Sequence, residues 1–129
     1  MVDCILRVEP GRRAVGIKNI TPGLLGCYVG TEEAWFPQVL ILEAMAQVGA
    51  VAVLTGMAEQ GKKTTLFTGM DKVNFYAPVN VGDQLRLDVE IVGIKGGIGR
   101  RAGRAWVDDR LVAEGILWFA IADKTRIRE

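Results

Sequence analysis

The sequence predicts an α+β fold in which one long helix lies across a curved antiparallel sheet, and three observations carry that expectation. From Val39 to Leu54 the only polar side chains are Glu43 and Gln47, in a run rich in the helix formers Leu, Ala and Met. The stretch QLRLDVEI (84–91) alternates, with Leu85, Leu87, Val89 and Ile91 on one face and Arg86, Asp88 and Glu90 on the other. Finally, Asp108-Asp109 separates the strand-like runs RRAGRAWV (100–107) and LVAEGILWFAIA (111–122), as a hairpin turn does.

In chain order, MVDCILRVEPGRR carries charges at Asp3, Arg7 and Glu9 and has no long apolar core, so no signal peptide is expected. RAVGIKNI (13–20) is strand-like. Pro37 suits a first helical turn, since its φ is already helical and its missing N–H would be unpaired there, while Gly61 gives a natural stop. The helix is therefore expected over 37–59. A helix apolar all round must be buried on nearly all sides, so Glu43 is expected to be a buried acid. The run is shorter than the ~20 apolar residues of a spanning helix. A mid-run charge adds ~2.5–3.5 kcal/mol against insertion. A buried helix of a cytoplasmic protein is expected, with no membrane role. TTLFTGMDKVNFY (64–76) reads as a strand, and Val81-Gly82-Asp83 as the turn before the alternating one. One domain over 1–129 is expected, with KTRIRE (124–129) as a loose tail.

A net charge of +1 gives no whole-chain field for nucleic acid. Cys4 and Cys27, with no histidine in the chain, offer no usual zinc set, and no metal or cofactor is expected. Two motifs are decoys. GMAEQGKK (56–63) has Lys63 where a P-loop needs Ser or Thr, and it closes a helix instead of opening one. GIGRRAG (97–103) imitates a dinucleotide fingerprint, but no βαβ pattern follows, so a Gly-rich hairpin or bulge is expected.

VLILEAMAQ (39–47), preceded by Phe36-Pro37, resembles the central-helix motif of the β-hydroxyacyl-(acyl-carrier-protein) dehydratases, hotdog-fold enzymes of fatty acid synthesis. VEPGRRAVGIKNIT (8–21) is similar to that family's opening strands, GMDKVNFYAPVNVGDQLRLDVEI (69–91) to the middle of its sheet and VDDRLVAEGILWFAIAD (107–123) to its end. The family pattern H-F-P-G-x-P-x-M-P-G-V-L-x-x-E-A places His fourteen residues before Glu. That position here is Val29, with Gly30-Thr31-Glu32 following, and the chain has no His at all.

The resemblance implies elimination of water from a 3-hydroxyacyl thioester, with His and Glu from opposite subunits of a dimer. It assigns the surviving catalytic role to Glu43 and polarisation of the thioester carbonyl to the backbone N–H of Gln38 or Val39, at the positive end of the helix dipole. Gln47 shares the helix face of Glu43, and Tyr28 lies close to the vacated His position; both are candidate substrate contacts. Ala44, Ala46, Gly49, Ala50 and Ala52 keep other helix faces small, either for close approach in a dimer or to receive bulky sheet side chains. Lys95, Arg100, Arg101 and Arg104 form a run without an acid, and are expected either to dock an acidic acyl carrier protein or to be a solvated strand face. The implied partners are an acyl-ACP or acyl-CoA thioester and a second copy, in a homodimer or a multiple of dimers. Dehydration is expected to be weakened, altered or dependent on a His-supplying partner, such as a His-containing paralogue in a hetero-oligomer. An acyl thioesterase using Glu43, or a non-catalytic binding or assembly subunit, are the alternatives.

Overall fold

The computed structural model describes residues 2–21, 36–56 and 63–123. Its elements are β1 (Cys4–Glu9), β2 (Arg13–Asn19), α1 (Gln38–Thr55), β3 (Lys63–Phe75), β4 (Gln84–Lys95), β5 (Ile98–Val107) and β6 (Arg110–Asp123). The six strands form one sheet in the order β1-β2-β4-β5-β6-β3, and every pairing is antiparallel. This is the hotdog arrangement, one long helix laid on a curved sheet, as the sequence predicts.

Alternation in the strands sets which face meets the helix. Leu87 lies opposite Gly16 on β2 and Ala105 on β5, and Ala105 lies opposite Ala113 on β6, giving a continuous inner row. Leu85, Leu87 and Val89 are fully buried there. Full burial of each such side chain favours folding by ~1.5–3 kcal/mol. The helix contributes Leu40, Ile41, Leu42, Ala44, Met45, Val48, Gly49, Ala52 and Val53 to the same core.

The helix ends earlier than its composition suggests. Gly56 is the C-cap, and its N–H donates to the carbonyls of Val53 and Leu54. The β1–β2 turn docks on this end, where the Gly11 N–H donates to the Ala52 carbonyl at 2.8 Å and satisfies one of the last orphan acceptors. A side chain at Gly56 would lie 2.6 Å from the Gly11 backbone, so glycine is required for the approach. The expected stop at Gly61 and the tail 124–129 lie outside the described residues.

By length and composition α1 could cross a membrane, with a mean hydropathy of 1.7, yet half of it is buried inside this fold. Of the Gly-rich decoy, 98–103 belong to β5, and Gly97 sits with Gly96 in the two-residue hairpin turn before it, at φ of 81° and 63°.

Candidate functional site

The sheet covers only one side of α1. Val39, Glu43 and Gln47, spaced four residues apart, form a stripe on the open side, and Val39 is 66% exposed. The expectation of a buried Glu43 is therefore corrected: its side chain is exposed in the single chain. The apolar run implies burial on nearly all sides, whereas the described sheet supplies one wall. Gln47 is likewise exposed, and its Oε1 accepts a hydrogen bond from the Val2 N–H at 3.2 Å, tying the N-terminal segment to the stripe.

Among the described residues, no side chain caps the start of α1, where Pro37 occupies the N-cap. Among the same residues, no first-turn carboxylate offsets the positive end of the dipole at Gln38 and Val39. Beside it lies a cavity of about 230 Å³ lined by Phe36, Gln38, Ile41, Phe75, Tyr76 and Val79, among others. The wall is held by the Phe36 N–H donating to the Val79 carbonyl at 2.6 Å.

Tyr76 is a wall residue that the motif reading passed over. Its hydroxyl donates to Glu114 Oε1 at 2.7 Å, and that hydrogen bond to a carboxylate, with a smaller effect of burial, raises the phenol pKa. The sequence signal available was a tyrosine directly after a strand rich in apolar residues. Tyr28 lies outside the described residues. Among the described residues, no three His, Cys, Asp or Glu side chains gather as metal ligands.

The edge strand β3 carries a second open apolar surface. Phe67 and Met70 lie opposite the buried Phe119 and Leu117 on β6, which puts them on the helix side of the sheet. They are nevertheless 47% and 48% exposed. Leu66 is exposed on the same strand.

The basic run divides between the two sheet faces. Arg100 and Arg104 are exposed on the outer face, with Arg100 stacked over Trp118 at 5.4 Å and Arg104 Nε 3.7 Å from Glu114. Lys95 is exposed at the end of β4. Arg101 points the other way and is only 1% exposed, so it is corrected from a docking residue to a core residue. Alternation places it there: Arg101 shares the inner face with Gly103, Ala105 and Val107.

Residues 1–116 match the family model described as a FabA-like domain. A 3-hydroxyacyl-[acyl-carrier-protein] dehydratase FabZ of Symbiobacterium thermophilum is 49% identical over 126 residues, covering 95% of this chain and 87% of that relative. The corresponding protein of Thermomicrobium roseum is 47% identical over 131 residues, covering 99% and 86%. Among solved structures, the dehydratase heterocomplex ApeI:P of Xenorhabdus doucetiae superposes with a TM-score of 0.76 at 14% identity, covering 98% of this chain and 85% of that chain.

Proposed function

Because the chain belongs to the FabA-like family, we propose that it binds acyl thioesters as a relative of the 3-hydroxyacyl-ACP dehydratases, with dehydration weakened, altered or dependent on a partner that supplies histidine. The observation that carries this reading is the near-full-length match to those relatives, combined with a Glu43 that stands on an exposed stripe of α1.

The thioester lies at the start of α1, where the Gln38 or Val39 amide polarises its carbonyl. Dehydration then needs two groups: one takes the C2 proton, and one protonates the departing 3-hydroxyl. Glu43 fills one role. The chain contains no histidine, so the second group comes from elsewhere. Loss of a positioned acid–base residue typically costs 10²–10⁴ in rate, which leaves a slow reaction for the chain alone.

A second copy covers the open stripe. Val39 on α1, together with Phe67 and Met70 on β3, presents apolar area that a monomer would leave wet, and the long edge of β3 offers backbone groups for strand pairing. The resulting assembly is a dimer or a multiple of dimers, with Gln47 one turn beyond Glu43 in the same site. Lys95, Arg100 and Arg104 offer an acidic carrier protein a salt-sensitive docking face.

The test follows enoyl thioester formation from 3-hydroxydecanoyl-pantetheine. The pure chain is expected to turn over 10²–10⁴-fold more slowly than a His-containing member of the family. Mixing with an inactive His-bearing, Glu-less variant of such a member should restore the rate, and Glu43→Gln in this chain should abolish the restoration. Free thiol release in place of enoyl formation would select the thioesterase reading. Restoration that survives Glu43→Gln would remove the carboxylate from the mechanism.

A further inference from the structure

The face of the sheet turned away from α1 carries a groove of its own. Alternation puts Leu85, Leu87 and Val89 inward, so Arg86 and Asp88 on β4 point outward, as do Arg13 and Val15 on the neighbouring β2. With Leu6 and Arg7 of the edge strand β1, these side chains line a cavity of about 310 Å³. Of its two apolar side chains, Val15 is buried and Leu6 is exposed.

Three guanidiniums from three strands thus share this groove with one carboxylate. Asp88 is already engaged: Arg13 Nε donates to its Oδ1 at 2.8 Å, and Arg13 Nη2 donates to its Oδ2. The bidentate pair fixes Arg13 in place and neutralises Asp88 locally. Arg86 is held over the Trp106 ring, 5.7 Å from its centroid, and has no ion-pair partner among the described residues. Arg7 meets only Glu9, which it shares with Arg12, each at 3.9 Å on an exposed side chain. Such surface pairs hold a side chain weakly.

We propose that this groove binds the phosphate of a phosphomonoester, with the organic part of the ligand resting on Leu6. Arg7, Arg13 and Arg86 against Asp88 leave two positive charges among the lining residues. A phosphomonoester carries about −1.5 to −2 charges at pH 7 and presents three strong acceptor oxygens, which suits several guanidinium forks at once. A sulfate ester or carboxylate brings a single charge. The site lies on the opposite side of the sheet from Glu43, and it stands or falls independently of the acyl-thioester reading.

Phenyl phosphate and phenyl sulfate, alike in shape, are titrated calorimetrically into the intact protein at low salt. Phenyl phosphate is expected to bind at one site per chain, roughly tenfold or more tighter than the sulfate. Arg7→Gln and Arg86→Gln should each lose roughly tenfold with circular dichroism unchanged, since both side chains are exposed. Arg110→Gln, which removes an exposed cation at the start of β6, should lose nothing. Vesicles containing phosphatidic acid separate the two sources of the phosphate. Co-sedimentation that Arg86→Gln abolishes assigns it to a lipid head group, and its absence assigns it to a soluble ester. Equal affinity for phosphate and sulfate, no binding of phenyl phosphate, or an equal loss in Arg110→Gln would overturn the proposal.

Discussion

The space between α1 and β5 holds either a methyl group at Gly49 or the guanidinium of Arg101, and not both. An alanine Cβ there would sit 2.5 Å from Arg101 Cδ and 2.9 Å from its Nε. Gly49→Ala is therefore expected to destabilise the fold by ~1–3 kcal/mol through overpacking, despite alanine's better helix propensity. In an Arg101→Ala background the same change should be neutral or stabilising, because the crowding atoms are gone. Chemical denaturation of the four proteins measures the coupling, and an equal cost in both backgrounds would separate the two residues. Arg101 also marks a limit of residue-level reading. Its charge suggested a docking surface, while its position in the alternation with Ala105 and Val107 already placed it inside.

At the scale of elements, the parts that follow a clear period were legible. α1 runs over Gln38–Thr55 within the expected 37–59, and β4, β5 and β6 match the alternating or apolar runs. β1 has no such signature: Ile5 and Leu6 are adjacent apolar residues, and the register shifts between Ile5 and Arg7. β4 continues past the expected Ile91 to Lys95 because a bulge between Ile91 and Gly93 breaks the alternation without ending the pairing. The β4–β5 hairpin depends on backbone chemistry that hydrophobic periodicity does not report. Gly97 has φ of 81°, a region that β-branched residues strongly disfavour. Gly97→Val should cost roughly 1–3 kcal/mol in thermal or denaturant unfolding. An unchanged midpoint would show that the turn has an alternative geometry of equal energy.

At the scale of the whole molecule, about half of the central helix is buried in the described fold. The apolar Val39–Leu54 run implies burial on nearly all sides, whereas Val39, Glu43 and Gln47 are exposed in the single chain. Glu43 therefore reads as a misplaced acid in the sequence and as an exposed one in the single chain. In the proposed dimer it borders the acyl-thioester site, with Val39 and the β3 surface meeting the second copy. The most direct test compares calorimetric binding of the tightest-binding acyl-pantetheine to the wild type and to Glu43→Trp. That exposed position tolerates a larger side chain in the single fold, as retained circular dichroism would verify. The account predicts saturable binding by the wild type and at least a tenfold loss in the variant. Undiminished binding by the variant, or none by the wild type, would contradict it.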